Sequence, residues 1–273
     1  MITADFHNHT EFSSDSHTPA EEQVRAAVKA GLKQLCITDH MDRNYPNPSE
    51  GTFEFDPVRY FDSLMVLKNR YLSQIELLIG IELGLRSEPE IKSEIRDDYN
   101  ALVSEYPFDF VIGSSHVVED CDPYLPEYWE KRSLHGGLFE YFESIAENAE
   151  WYSCFDVYGH LDYILRYAPG PVRDYRYEDF RDITDRALRA LIHAGKGIEL
   201  NTAGLRSLSY PHPKKELLLR YRELGGEIIT VGSDAHTPDL LCYEFGRAEE
   251  YLKECGFRYY TIFRNRRPVM QKL

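Results

Sequence analysis

Cysteine is scarce in this 273-residue chain: Cys36, Cys121, Cys154, Cys242 and Cys255 are odd in number and show no Cys-x-x-Cys spacing. Neither a disulfide framework nor a thiolate zinc site is indicated. Cys36 lies inside an apolar run and reads as a small buried hydrophobe. Basic residues are also in short supply. Lys and Arg total 31 against 46 Asp and Glu, for a formal charge of −15. Nucleic-acid binding draws most of its affinity from a basic face, so that class is disfavoured. A phosphorylated small molecule is not excluded, because bound cations reverse the local field. No run approaches membrane-spanning length, and no basic flank followed by an apolar run opens the sequence. A cytoplasmic protein without a membrane partner is the expectation.

What is present is a core. Hydrophobic residues make up 42% and aromatics 13% of the chain, enough for a folded α/β domain of barrel size spanning residues 1–273. Apolar strand runs alternate with helical segments. The first strand runs through Ala4–Thr10. Thr18 reads as the N-cap of a helix, with Pro19 its first residue, Glu21 the capping-box partner and Gly31 its end. Strands follow at 35–38, 77–81, 108–113, 155–159, 197–201 and 228–232, with a final short strand at 258–263. Loops are expected over 44–52, 118–137 and 167–174. Alternating strands and helices imply parallel βαβ units. Helix-to-strand joints are short and glycine-marked, whereas strand-to-helix joints are long and rich in His, Asp and Glu. In an α/β barrel the chemistry sits at the carboxyl ends of the strands, and nearly every strand here delivers a candidate there, which favours closure over an open sheet.

His7 and His9, at i and i+2 on an extended segment, project to one face and can reach one ion. Alone the pair is weak evidence. Six of the ten histidines, however, follow predicted strands: His7, His9, His40, His116, His160 and His236. With Asp15, Glu82 and Asp234 they make a set that surface histidines do not explain. That many imidazoles and carboxylates on one rim point to several cations, with Glu82 able to bridge two of them and paired metals activating water for displacement at phosphorus. His135, His193 and His212 fit no motif and read as surface histidines.

The His-x-His opening, Thr-Asp-His at 38–40, Glu82, Gly-Ser-Ser-His at 113–116, Gly-His-Leu-Asp at 159–162 and Ser-Asp-Ala-His at 233–236 together resemble the PHP (polymerase and histidinol phosphatase) superfamily. The resemblance covers essentially the whole chain. The Glu-Leu-Asn-Thr-Ala-Gly-Leu-Arg stretch at 199–206 is similar to its histidinol-phosphate phosphatase branch. The resemblance implies a distorted seven-stranded (β/α)7 barrel with three divalent ions, Zn, Fe or Mn. One ion would take His7, His9, Glu82 and Asp234. A second would share Glu82 and add His116 and His160. The third would take Asp15, His40 and His236, with His17, two residues from Asp15, read as solvated or as supporting the ligands. Arg206 and Arg166 would grip phosphate, bidentate contacts suiting a guanidinium. Asn201 and Glu199 could line the floor or meet substrate, and Asp162 could stand behind the ligands or donate a proton. The implied reaction is hydrolysis of a small phosphate monoester, L-histidinol phosphate first among them, by metal-activated hydroxide, with Glu82, Asp234, His236 and Asp162 as the catalytic set. Alternatives are a PHP phosphoesterase acting on a nucleotide, sugar phosphate or oligonucleotide, an amidohydrolase, and a non-catalytic metal-dependent sensor. His40 and Glu82 on the second and third strands fit the amidohydrolase pattern poorly.

Overall fold

In the computed structural model, residues 1–47, 51–170 and 175–273 are described. The parts of the expected loops at 48–50 and 171–174 lie outside them. Strands β1 (Ala4–Asp5), β2 (Gln34–Ile37), β3 (His40–Met41), β4 (Glu76–Gly84), β5 (Phe110–Ser114), β6 (Val157–Tyr158), β7 (Gly197–Asn201) and β8 (Ile229–Gly232) form one parallel sheet. β2 and β3 both pair with β4, so they are two pieces of one strand position, interrupted at Thr38 and Asp39. That leaves seven positions around the sheet. Its ends meet: the Phe6 amide donates to the Val231 carbonyl at 3.0 Å, Asp234 N to His7 O at 2.7 Å and His9 N to Ala235 O at 2.9 Å. The result is the nearly closed, distorted seven-stranded barrel that was expected.

Among the described residues eight α-helices surround it: α1 (Ala20–Ala30), α2 (Pro57–Tyr71), α3 (Lys92–Glu105), α4 (Pro126–Glu130), α5 (Leu134–Trp151), α6 (Arg181–His193), α7 (Lys215–Glu223) and α8 (Phe245–Glu254). Strand residues with both faces covered read as continuous apolar runs, and Leu35, Ile37, Ile81, Phe110, Val157, Ile198 and Ile229 are buried to 1% exposure or less. Tyr60 of α2 ties its helix to the sheet by donating to the carbonyls of Ile37 and Gly80. Asp56 caps α2 by accepting from the Val58 amide.

Three expectations need correction. Thr18 does not cap α1, which begins at Ala20 without a side-chain cap; its hydroxyl donates instead to the His236 carbonyl at 2.8 Å, lacing the β1 and β8 loops together. The span 118–137 is not all loop, since it holds α4 and the start of α5. The strand expected at 258–263 is present as β9 (Tyr259–Arg264) but is not the final one, since it forms an antiparallel hairpin with β10 (Arg267–Lys272). All five cysteines are free, and no helix among the described residues is long and apolar enough to cross a membrane.

Candidate active site

The carboxyl ends of the strands open into a cavity of about 430 Å³ lined by Asp15, His40, Asp42, His116, His160, Asp234 and His236, with Arg166, Arg206, Asp122 and an aromatic wall above them. Directly beneath the lining His40, His116 and His160 stands Glu82, fully buried. It lies within β4, two residues before the strand's end. One of its oxygens, Oε2, lies 3.1 Å from His7 Nε2 and 3.0 Å from His40 Nδ1. The other, Oε1, lies 3.0 Å from His160 Nε2 and 3.2 Å from His116 Nε2, and accepts from the Ser114 hydroxyl at 2.7 Å. His9 Nε2 approaches Asp234 Oδ1 at 3.2 Å. His236 Nε2 meets Asp15 Oδ2 at 3.0 Å, and His40 Nε2 reaches the same oxygen at 3.7 Å.

Four groups of donors converge closely enough to share an ion: His7, His9 and Glu82; Glu82, His116 and His160; His9, His40 and His236; and His40, Asp42 and His116. The donors suit a divalent cation, being imidazole and carboxylate. A second observation supports the fit. His9 Nε2 and His40 Nδ1 are buried and, although carboxylate oxygens lie 3.2 and 3.0 Å away, neither makes a well-directed hydrogen bond, an arrangement that costs free energy unless something else occupies the lone pairs.

Electrostatics point the same way. Burial opposes ionisation of Glu82, but the facing His7, His116 and His40 outweigh it and hold the carboxyl well below its usual range. Asp234, likewise buried, is held low by His7 and His9. Burial and the neighbouring His236 and His40 push His9 down to about 3, keeping it in the neutral form that ligates. His40 runs the other way: Glu82 and Asp15 overcome burial and raise it to about 9, so a cation there would have to displace its proton.

The candidate ligands are held from behind. Glu199 accepts from His7 Nδ1 at 2.7 Å and from the His160 amide at 3.0 Å. Asp39 accepts from the Thr10 amide and hydroxyl and from Ser13. Ser13 in turn contacts His9 Nδ1 at 3.1 Å. Such partners orient imidazoles toward a metal and raise their basicity. The close fit requires Gly232, where a Cβ would stand 2.3 Å from both Glu199 Oε1 and His7 Cβ. Asp234 itself adopts a left-handed φ of 55°, a conformation that Asp tolerates better than most residues and that concentrates at functional sites.

Residues 5–203 match the family model described as the PHP domain. The chain belongs to the PHP family. The chain is similar to the histidinol-phosphatase of Lactococcus lactis subsp. lactis, at 29% identity over 264 residues, 96% of this chain and 95% of that one. A probable histidinol-phosphatase of Clostridium acetobutylicum is 32% identical over 255 residues, 93% of this chain and 94% of that one. The crystal structure of the Lactococcus lactis histidinol phosphate phosphatase complexed with zinc, L-histidinol and phosphate matches with a TM-score of 0.86 at 28% identity, covering 98% of this chain and 99% of that chain.

Within this PHP site not every candidate lies where expected. Asp162 is fully buried and does not line the cavity. Its carboxylate accepts from His212 Nδ1 at 2.6 Å and from the Lys214 amide at 2.8 Å, so both oxygens are engaged away from the cavity. His212 is correspondingly buried, at 1% exposure, and is not a surface histidine. His135, His193 and His17 are exposed. Asn201 also lies beneath the lining, donating to Glu199 Oε2 and to Asp234 Oδ2, so it steadies carboxylates and does not face the cavity. Arg166 and Arg206 both line the cavity. One ligand-side residue escaped the sequence reading. Asp42 accepts from His116 Nδ1 at 2.9 Å and lies 3.6 Å from His40 Nδ1. Its position two residues after His40 was the available signal, the same i, i+2 spacing that marked His7 and His9.

Proposed function

We propose that the protein hydrolyses L-histidinol phosphate to L-histidinol and phosphate, a step of histidine synthesis, as a metal-dependent phosphoric monoester hydrolase. The observation that carries the reading is Glu82: both oxygens of one buried carboxylate are met by imidazoles from four strand ends, just beneath a cavity that also presents two arginines. His7, His9, Glu82 and Asp234 would hold one ion, Glu82, His116 and His160 a second, and Asp15, His40 and His236 a third, with zinc, iron and manganese all compatible with the donors. When bound, such cations supply Lewis-acid activation of water and neutralise phosphoryl charge.

The chain's own residues supply the rest. The Arg206 guanidinium rests on the carbonyls of Ser233, at 2.6 Å, and Asp234, while its buried Nε has no partner. Its charge is therefore not spent on a carboxylate contact and remains available to phosphate oxygens. Arg166, with its guanidinium 5.6 Å from the Tyr167 ring centre, approaches from the strand end after β6. Charge-assisted contacts of this kind position the ester and stabilise charge that builds on the equatorial oxygens. Ser114, Glu199 and Asn201 keep the carboxylates and imidazoles from reorienting as that charge shifts, the preorganisation on which electrostatic stabilisation depends.

Residues 1–273 read as one domain, because β8, beyond the stretch matched by the family model, closes on β1 and supplies Asp234 and His236. A cytoplasmic location belongs to the same reading, as the place where a biosynthetic intermediate is met. The decisive experiment is phosphate release from L-histidinol phosphate by metal-reconstituted protein, beside other phosphomonoesters and a diester. A kcat/KM above about 10⁴ M⁻¹s⁻¹, far above the panel, is expected. Weak and even activity across the panel would leave a phosphoesterase and remove the substrate assignment.

A further inference from the structure

Two groups of opposite charge line the cavity on different sides. Arg206 is fixed on the carbonyls that follow β8. Asp122 belongs to the segment that follows β5. In the strand order, β5 and β8 are three places apart, as far as a seven-membered ring allows, so the two residues reach one cavity from strands on opposite sides of the barrel. Asp122 is 7% exposed, yet its side chain opens on the cavity. Its carboxylate is held from two sides, by the Tyr45 hydroxyl on Oδ2 at 2.8 Å and by the Tyr124 amide on Oδ1 at 2.8 Å. Among the described residues no Lys, Arg or His forms an ion pair with it; the other acid on that side, Asp42, is taken up by His116. Burial raises the Asp122 carboxyl above its ordinary value, against the lowering effect of its two hydrogen bonds and of the more distant His116. Buried charges are normally paired, and a preformed, aimed, unpaired carboxylate in a cavity marks the place of a cationic ligand group. The surrounding rings strengthen that preference. Tyr45 packs edge-on against Phe53 with centroids 4.8 Å apart, and Tyr124 against Tyr167 at 5.1 Å; aromatic faces attract cations.

We propose that Asp122 receives the cationic portion of the substrate, so that the cavity selects phosphate monoesters of amino alcohols, anchored by phosphate at Arg206 and by an ammonium or imidazolium group at Asp122. This rests on the phosphomonoesterase reading and names the residue that would make it selective. No part of the proposal requires Asp122 to enter the chemistry. Its removal should therefore separate substrates by charge and leave the hydrolytic centre intact.

The test compares metal-loaded wild type with Asp122→Asn on L-histidinol phosphate, O-phosphoethanolamine and glycerol phosphate, with metal content measured for both proteins. Losing a desolvated charge pair commonly costs a factor of about 30 or more. The expected result is a drop of that order in kcat/KM for both amine esters, expressed mainly in KM, with glycerol phosphate changed less than about twofold. Equal losses on all three esters, or no loss on the amines, would overturn the proposal. Should wild type show no preference for L-histidinol phosphate, the substrate reading fails by itself. O-phosphoethanolamine against glycerol phosphate then decides the role of Asp122. If Asp122→Asn does not fold, Tyr45→Phe removes one of the two holds on the carboxylate, and a smaller loss confined to the amine esters is expected.

Discussion

Glu82 concentrates the site's electrostatics in one side chain. Its two oxygens are shared among His7, His40, His116 and His160, so a neutral isostere cannot replace it. In Glu82→Gln one oxygen becomes an amide nitrogen that donates where two imidazoles must find an acceptor or a shared ion. Turnover should fall by at least about 10³-fold, the scale of losing a main charge-stabilising group, and bound metal per chain should drop in the same preparation. Near-wild-type rates with full metal content would exclude Glu82 as the shared ligand. At this scale the sequence was informative wherever a histidine followed a strand, because strand geometry alone decides which way such residues point. It misled where a side chain's partner lay far away in the chain. His212 looked like a surface histidine because nothing adjacent marks it as the partner of Asp162, 50 residues earlier. Asp162 looked reactive only because it adjoins His160.

At the scale of elements, Gly84 ends β4 where Asp42 packs across from β3. A Cβ there would fall 1.5 Å from Asp42 Oδ1, so Gly84→Ala must drive Asp42 off His116. Removing a group that orients a ligand costs about 10–100-fold in metal affinity; competition against a chromophoric chelator measures it. Because the collision needs the Asp42 side chain, Gly84→Ala combined with Asp42→Ala should bind metal no worse than Asp42→Ala alone. Additive losses would place the effect of Gly84 elsewhere.

Packing of α6 on α7 allows a second test. Asp185 accepts from Arg220 Nη2 at 2.5 Å and from the Tyr177 hydroxyl, and the Arg220 contact holds its carboxyl down to about 2 from an ordinary value of 3.8. A depressed folded-state pKa stabilises above the unfolded value and fades as pH falls through the folded one. Asp185→Asn should therefore melt about 2–4 °C below wild type at pH 6, and the gap should close between pH 3.8 and about 2. A gap independent of pH would mean that packing, not charge, stabilises this contact. Helices and strands were largely legible from apolar runs and glycine stops, but β10 was not. Its turn is Asn265-Arg266, with φ of 48° and 62°, a left-handed pair built without the glycine that usually advertises such a hairpin.

The whole molecule closes through its site. β1 and β8 meet by the backbone bonds of Phe6, His9 and Asp234, and the same two strand ends carry His7, His9, Asp234 and His236. Cations bound among these side chains would therefore cross-link the seam of the barrel and engage the nitrogens of His9 and His40 that lack a well-directed hydrogen bond. Ligands that bind only the folded state stabilise it by mass action, about 2.7 kcal/mol at a hundredfold excess over Kd. For a chain of this size that corresponds to a melting shift of about 5–10 °C. Stripping metal with a chelator, followed by dialysis, should lower Tm by that amount, and restoring zinc or manganese should recover it. Since the expected ions share Glu82, recovery should be steeper than a single binding isotherm, with later ions entering a site already ordered by the first. His9→Ala should blunt both the loss and the recovery, because His9 belongs to two of the donor groups on the seam. A Tm unchanged by verified metal removal would show that the barrel closes on its backbone bonds alone and that the cluster serves chemistry without holding the fold.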